Sequence, residues 1–326
     1  MNLNKNMSII LAPFGIGGPN DAAKDGPRSV MNNGLKKDLE ELEFNINAIS
    51  PPKKLISKIL KLKSSKKNKI KNIDAVLKIN EWLSDSVFNS AKNGYIPLTI
   101  GGDHSLAIGT ISGITSALNN VGVLWIDRHF DAHSPKNTPS WRAHGMPVAL
   151  AIANKDFDSH TDFQRLLRIG RSNRLPKIKS DNFVHFGIGE KSIIKPKTKW
   201  FLMEDIDNTG IKKAIDDAIN YLLKRVKYIY IAWDIDSMSV TGTGTHADDQ
   251  LSLREGLVVA RAINNKIRLK VRLAGFEMME VAPKLEKKYL KGQTAEWAIK
   301  LITTSFGGNL FNNYSRLTSN INIHAE

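Results

Sequence analysis

The chain has 326 residues, 41% of them hydrophobic, which is enough to bury the core of one large or two ordinary domains. It contains no cysteine, which excludes a disulfide framework, a thiolate metal site and a cysteine nucleophile. The apolar run near the N-terminus is too short for a secretory signal or a membrane span, so we expect a cytoplasmic protein that does not enter a membrane.

The formal net charge is +15, and lysine is concentrated in residues 51–72, PPKKLISKILKLKSSKKNKIKN. This lysine-rich segment has few aromatic side chains that could stack on bases. It therefore predicts a solvated surface segment and no specific nucleic-acid site. Non-specific attraction to nucleic acid or acidic lipid is the alternative.

Short β-branched runs alternate along the chain with longer segments of helical spacing. The predicted strands are SIILAPF (8–14), YIPLTIGGDHS (95–105), VGVLWIDRH (121–129), NFVHFGIGE (182–190), KYIYIAWDID (227–236) and VRLAGFEMMEV (271–281), and the clearest helical segments are 75–94 and 211–226. Continuous apolar runs are typical of strands buried on both faces of a parallel sheet. The alternation predicts βαβ units in a single α/β domain spanning residues 1–326.

Four of these runs end in polar clusters: GGDHS follows LTI, DRHFD follows VLWI, DID follows YIYIAW, and EMMEV follows RLAGF. Because the carboxyl ends of parallel strands meet at one edge of a sheet, we expect the four clusters to converge on one crevice.

The stretch VLWIDRHFDAHSP (123–135) offers acid and imidazole side chains at alternate positions. Alternate residues of an extended segment point the same way, so Asp127, His129 and Asp131 can face one point. A second register would begin at Asp131 and use His133. The residues alone leave both registers open.

His104 from GGDHS, and Asp234 and Asp236 from AWDID, complete a set of four carboxylates and two imidazoles. Mixed oxygen and nitrogen ligands without sulfur suit divalent ions of the Mn²⁺ type better than a structural zinc ion. Carboxylates can bridge two such ions and thereby activate a water between them. Buried carboxylates would be costly without cations, which favours a dinuclear site.

With these motifs in place, the chain resembles the ureohydrolase family, and arginases within it most closely. The resemblance rests on LAPFGIGGPNDAAKDGPRSV, GGDHSLAIGTISG, WIDRHFDAHSP, AHGMPVAL, LSLREG and EMMEVAP, which follow the family's order over nearly the whole chain. It implies a three-layer αβα fold with a central, mostly parallel eight-stranded sheet. It also implies two Mn²⁺ ions, a homo-oligomer (trimer or hexamer), and hydrolysis of a guanidinium or related amidine.

The resemblance also implies ligand sets and roles. One ion would be held by His104, Asp127, Asp131 and Asp234, and the other by Asp127, His129, Asp234 and Asp236, with Asp127 and Asp234 bridging. Asp131 would also accept a hydrogen bond from the attacking hydroxide.

His144 in AHGMP matches the histidine that passes a proton to the leaving amine, and Glu280 in MMEVAP matches the carboxylate that holds the substrate guanidinium. Both roles are needed, because a cationic substrate requires a buried anion and a departing amine requires a proton. Glu277 matches a residue that supports the site.

The resemblance favours the register from Asp127. The other register would next require Pro135, which cannot ligate, and only the register from Asp127 gives the arginase spacing from His129 to His144. The agmatinase-like string HFDAH is then coincidental, and His133 leaves the ligand set.

The chain departs from arginases where they recognise the rest of the substrate. His133 and Arg142 replace asparagines there, and both could still bind a carboxylate, although solvated positions are the alternative. Ser140 matches a serine that contacts the α-carboxylate. Glu190 or Ser192 would stand in for an aspartate that binds the α-amino group, and the loop after Asp236 is shorter and lacks proline.

The sequence therefore predicts a Mn²⁺-dependent hydrolase that cleaves L-arginine to L-ornithine and urea. The nearest alternatives are an agmatinase, a guanidino-acid hydrolase or a formiminoglutamase. A deacetylase that shares the fold, a nucleic-acid-binding protein that has lost catalysis, and a scaffold stabilised by metal are less consistent with the complete ligand set and Glu280.

Overall fold

The computed structural model describes residues 3–62, 69–189, 194–245 and 250–308. Its strands are β1 Asn6–Ala12, β2 Asn45–Ile49, β3 Ile96–Gly101, β4 Val121–Ile126, β5 Phe183–Ile188, β6 Lys199–Leu202, β7 Tyr228–Asp234 and β8 Leu273–Met279. They form one eight-stranded sheet in the order β2-β1-β3-β8-β7-β4-β5-β6, and every neighbouring pair is parallel. The predicted parallel sheet is confirmed.

The helices of the described residues lie on both faces of this sheet. They are α1 Gly26–Asn32, α2 Leu35–Glu41, α3 Lys53–Leu60, α4 Ile73–Lys92, α5 Ala107–Ala117, α6 Pro147–Ile152, α7 Thr161–Leu167, α8 Met203–Thr209, α9 Ile211–Leu223, α10 Leu253–Ile263 and α11 Gln293–Ser305. Both helices predicted from spacing form, within three residues of the expected bounds. In the lysine-rich segment, α3 exposes its lysines, while residues 63–68 lie outside the described residues.

Alternate residues of the central strands feed two separate hydrophobic clusters, one on each face. In β4, Leu124 and Ile126 pack with α9–α11, whereas Val123 and Trp125 pack with α4 and α5. Burial on both faces explains why β4 has a continuous apolar sequence. The three-layer αβα architecture is confirmed.

Two strands of the sheet, β2 and β6, were not among the predicted runs. Both lie at the edges of the sheet, where one flank has no strand neighbour among the described residues. Strand β2 is largely exposed and β6 has only four residues, so neither carries the apolar run on which the prediction depended.

No helix among the described residues is long and apolar enough to cross a membrane.

Candidate functional site

The candidate site lies at the carboxyl edge of the four central strands, β3, β8, β7 and β4. His104 begins a short 3₁₀ helix after β3, Glu280 follows β8, Asp234 ends β7, and Asp127 follows β4. The predicted convergence of four strand ends is therefore observed. Each side chain is at most 2% exposed.

Main-chain N–H groups fix one oxygen of each key aspartate. The amide of His129 donates to Asp127 Oδ1 at 2.7 Å, and the amide of Asp236 donates to Asp234 Oδ1 at 2.8 Å. These are aspartate turns, in which the side chain bonds the backbone two residues on. The second oxygen of each carboxylate stays available on the side of the site.

The available oxygens cluster around His104. Its Nδ1 lies 3.1 Å from Asp127 Oδ2, 3.3 Å from Asp131 Oδ2 and 3.0 Å from Asp234 Oδ2. The imidazole is held in place by parallel stacking on Trp125, with ring centroids 4.1 Å apart. One nitrogen thus faces three carboxylates.

A second cluster forms on the other side of Asp127. His129 Nδ1 lies 3.6 Å from Asp127 Oδ1 and 3.0 Å from Asp236 Oδ2. Two groups therefore have metal-ligand geometry, His104 with Asp127 and Asp131, and Asp127 with His129 and Asp236. Asp127 belongs to both, and each of its oxygens faces one group.

The donor atoms fit divalent cations. His104 Nδ1, Asp127 Oδ2 and Asp236 Oδ1 are all buried without a hydrogen-bond partner. Buried polar atoms are nearly always satisfied, so a set of orphaned nitrogen and carboxylate donors that converge indicates a ligand that the protein does not supply itself. All donors are oxygen or imidazole nitrogen, as hard or borderline divalent ions require.

Without an added cation, the buried carboxylates of this cluster repel one another, and the pKa values of the cluster shift accordingly. Burial would lower the pKa of His104, but the close carboxylates of Asp127, Asp131 and Asp234 raise it well above its usual value. Burial and the charge of Asp127 raise the pKa of Asp131 to about 7. Burial and the charges of Asp236 and Asp127 raise the pKa of Asp234 well above its usual value. Added cations would relieve this repulsion and keep the carboxylates ionised.

Two site residues have left-handed backbones, which non-glycine residues rarely adopt. Asp131 has φ 46° and Glu280 has φ 64°. Such conformations cost about 1–3 kcal/mol and persist where surrounding structure enforces them, often at functional sites. The Asp131 carbonyl accepts from Val148 N at 3.0 Å, and Glu280 N donates to Gly102 O at 2.8 Å, so both backbones are anchored.

A cavity of about 190 Å³ opens over the cluster, and it brings together most of the predicted site residues. Its lining is His104, His129, Asp131, His133, Pro139, Ser140, His144, Gly145, Asp234, Thr245 and Glu280. His133 lines the cavity but belongs to neither metal-ligand group among the described residues. Within the described residues, the two groups with metal-ligand geometry draw on the register from Asp127 and not on His133.

Glu280 lies at the base of this cavity. Its Oε1 accepts the amide of His104 at 2.8 Å, while its buried Oε2 has no hydrogen-bond partner. Burial, together with the carboxylates of Asp234 and Asp103, raises the pKa of Glu280 well above its usual value. A cationic group in the cavity would oppose that shift, which is the environment a guanidinium would provide.

His144 stands in the cavity wall, in the 3₁₀ helix Ala143–Gly145. Burial, with the nearby His129 and His104, lowers the pKa of His144 to about 4. Its imidazole is therefore neutral at pH 7.

The structure separates the predicted substrate-tail residues. Ser140 lines the cavity, and its hydroxyl accepts the amide of Arg142 at 3.2 Å. Arg142 does not line it, because its guanidinium donates to the carbonyl of Gly18. Glu190 and Ser192 lie outside the described residues.

Several contributing residues were not predicted from the sequence. Thr245 lines the cavity and donates to Asp236 Oδ2. Gly244 passes so close to Glu280 that a Cβ there would lie 1.9 Å from Oε2. The TGTGT sequence after Asp236 was the available signal, since small residues permit this close approach of backbone to carboxylate.

Glu277 supports His104 from behind the site. It is fully buried, and its Oε1 lies 4.0 Å from His104 Nε2. Its other oxygen accepts hydrogen bonds from Thr110 at 2.5 Å and Tyr230 at 2.9 Å. The sequence indicated Glu277 as a supporting residue, but it gave no sign of the two hydroxyl partners.

The fold and site place the protein in the class of α/β hydrolytic proteins that assemble a carboxylate and imidazole centre at the carboxyl edge of a parallel sheet. The model of the arginase family matches residues 5–307, and the chain belongs to that family. The predictions of the family and of an arginase-type hydrolase are confirmed.

Individual relatives agree. An arginase of Staphylococcus aureus is 31% identical over 95% of this chain and 100% of its own length. Arginase-1 of Oryctolagus cuniculus is 34% identical over 93% of this chain and 94% of its own. The solved arginase of Bacillus caldovelox is similar with a TM-score of 0.80 at 29% identity, covering 94% of this chain and 99% of that one.

Proposed function

We propose that this arginase-family protein hydrolyses the guanidinium group of L-arginine to L-ornithine and urea, with two Mn²⁺ ions per chain. The observation that carries the proposal is the pair of metal-ligand groups that share Asp127 and lie in one cavity with the buried carboxylate of Glu280. The relatives named arginase favour arginine as substrate.

One ion would be held by His104, Asp127, Asp131 and Asp234. The other ion would be held by Asp127, His129, Asp234 and Asp236. When bound, the ions supply positive charge at the reacting centre and lower the pKa of a water between them. The clustering of Asp234 Oδ2 with His104 supports its place in the first set. Its proposed bridging role rests on the family resemblance.

Glu280 would bind the substrate guanidinium through its free Oε2, deep in the cavity. A buried carboxylate and a guanidinium form a strong charge-assisted pair. This pairing would hold the guanidinium carbon beside the metal centre and restrict its orientation. Asp131 would accept a hydrogen bond from the attacking oxygen.

His144 would carry the proton that the reaction moves. Attack of water on the guanidinium carbon releases a proton, and loss of the ornithine amine consumes one. A neutral imidazole beside the cavity can accept the first and deliver the second. The chain thereby converts one guanidinium and one water into urea and a protonated amine, so that charge and protons balance.

His133 and Ser140 would contact the tail of the substrate at the rim of the cavity. The replacement of two arginase asparagines by His133 and Arg142 keeps a second candidate open, another ureohydrolase acting on agmatine, a guanidino acid or formiminoglutamate. We further propose a cytoplasmic homo-oligomer, trimer or hexamer, in keeping with the family resemblance. No specific nucleic-acid or membrane partner is proposed.

The decisive experiment measures urea release from Mn²⁺-loaded protein with arginine and agmatine in parallel. We expect urea and ornithine from arginine, at least ~100-fold faster than urea from agmatine, and none after chelation of the metal. Urea from agmatine but not from arginine would assign the protein to the agmatinases. No urea from any guanidino compound would refute the proposed reaction.

A further inference from the structure

A second cavity, of about 170 Å³, opens at the opposite edge of the sheet, where the central strands begin. Its walls come from the starts of β3, β7 and β8 and from the ends of α4 and α5. The lining is Leu3, Asn4, Ala91, Gly94, Tyr95, Ile96, Leu118, Tyr228, Arg268, Val271, Leu273 and Ala274. These residues are mostly apolar, none is acidic, and Arg268 is the single charged member.

Arg268 is unusually buried for an arginine, at 8% exposure. Its Nε donates to Asn264 Oδ1 at 2.6 Å, and its Nη2 side packs against Gly307, where a Cβ would lie 2.8 Å away. Nη1 is buried and has no hydrogen-bond partner. Within residues 3–62, 69–189, 194–245 and 250–308, no carboxylate lies within ion-pair distance of Arg268.

A buried cation without a counterion is costly, and an arginine cannot avoid the cost by losing its proton at neutral pH. The guanidinium also lies over the Phe44 ring, with its Cζ 6.0 Å from the ring centroid, but that contact supplies no anion. Because Arg268 lines the cavity, a ligand with an anionic head and an apolar body would neutralise its charge and cover the apolar walls. We propose that this cavity binds a small organic carboxylate, whose head pairs with Arg268 while its hydrocarbon part packs against the apolar walls.

The cavity limits the size of that ligand. A volume of about 170 Å³ holds about five or six water-sized groups, at ~30 Å³ each. A carboxylate with about four carbons fits this space, and butanoate is the probe of choice. Ligands this small bind weakly, so we expect a Kd of about 1 mM.

The test titrates butanoate and its uncharged analogue butanamide into the full-length chain, followed by saturation-transfer NMR. Butanoate should bind at least ~10-fold more tightly than butanamide. R268M should abolish butanoate binding, R268K should retain part of it, and R261M should bind as the wild type does, because Arg261 is an exposed arginine on α10. Equal binding of the two ligands, or unchanged binding by R268M, would overturn the proposal.

Thermal unfolding provides a second, independent test of the proposed carboxylate site. Without ligand, R268M should unfold at the same temperature as the wild type or higher, because it removes an unpaired buried charge. Butanoate should raise the midpoint of the wild type and not that of R268M. A large loss of stability in both R268M and R268K would instead assign Arg268 to packing alone.

A wild-type chain that fails to bind butanoate would also overturn the proposal. Arginine hydrolysis, measured separately, tests the proposed function without reference to this cavity.

Discussion

The floor of the catalytic cavity and its rim are built in different ways. The floor is formed by His104, Asp234 and Glu280, with Asp127 and Asp236 buried beneath them, and all five residues lie at or just after the carboxyl ends of adjacent strands. Backbone amides fix one oxygen each of Asp127, Asp234 and Glu280. The rim is formed by His133 and Ser140, in the irregular segment between β4 and the 3₁₀ helix Ala143–Gly145, while Arg142 of the same segment points away from the cavity toward the Gly18 carbonyl.

This difference assigns the chemistry and the recognition of the substrate tail to separate parts of the cavity. A floor fixed by the sheet keeps the proposed metal ligands and the proposed guanidinium anchor in one geometry, as the chemistry requires. A rim built on a loop can change side chains without disturbing that geometry. Substitutions on the floor should therefore reduce activity most, and substitutions on the rim should reduce it least.

The largest effect is expected at Asp127, which belongs to both metal-ligand groups. D127N should lower kcat/KM by at least ~10³-fold, because loss of metal stabilisation amounts to several kcal/mol. It should also abolish the rise in unfolding temperature on addition of Mn²⁺. D162N is the matched control, since Asp162 is a buried aspartate that accepts the amide of Ile70 away from the site. Full activity with normal metal content in D127N would contradict the shared-ligand assignment.

The second-largest effect of a substitution is expected at Glu280. E280Q removes the anion from the base of the cavity but none of the metal ligands. Truncating one member of a buried charge pair costs about 2–5 kcal/mol, so kcat/KM for arginine should fall by ~30-fold or more. Metal content, measured by elemental analysis, should equal that of the wild type. Loss of metal with activity would instead place Glu280 in the metal site.

His185 supports the floor from below, and its substitution should change how the stability of the protein depends on pH. The ring lies 3.3 Å from the Phe130 carbonyl, within the segment that carries the ligands, and 3.0 Å from Thr198 Oγ1. Burial lowers the pKa of His185 to about 4 from an ordinary 6.5. The folded state thus favours the neutral ring.

Its contribution to stability is complete above about pH 6.5 and is lost as the pH falls toward about 4. The full loss is on the order of 3 kcal/mol. In urea unfolding of metal-free protein, H185Q should lose less stability than the wild type between pH 7 and 4.5. Parallel stability profiles for the two proteins would show that His185 does not titrate in this range.

Thr245 should have a smaller effect, because it acts through Asp236. T245V removes the hydroxyl that donates to Asp236 Oδ2 and keeps the shape of the side chain. Partners of metal ligands typically contribute 10–100-fold in metal affinity or activity. We expect Mn²⁺ affinity to fall by about 10-fold, measured by titration, with activity restored at saturating metal. T245S should behave as the wild type, and equal affinity in T245V would contradict the role.

The floor was predictable from the sequence and the rim only in part, because His133 and Ser140 line the cavity as expected and Arg142 does not. Alternation in an extended segment and the common edge of parallel strands fix where Asp127, His129 and Asp234 must point. The position of Arg142 depends on a contact with the Gly18 carbonyl, 124 residues away in sequence, which no local pattern encodes. Thr245 was missed because its contact with Asp236 depends on how the loop between them folds, and the edge strands β2 and β6 were missed because neither carries a continuous buried apolar run.

The smallest effect is expected at the rim residue His133. Its Nδ1 is buried without a hydrogen-bond partner, and its ring lines the cavity. H133N would restore the asparagine of the arginases at this position and leave every metal ligand in place. We expect a change of about 3- to 10-fold in the ratio of kcat/KM for arginine over agmatine, because one hydrogen bond to a substrate contributes ~0.5–1.5 kcal/mol. Metal affinity and kcat should change less than twofold. S140A is the companion variant, since Ser140 lines the same part of the cavity. If H133N instead lost metal, His133 would belong to the floor, and the register that begins at Asp131 would have to be reconsidered.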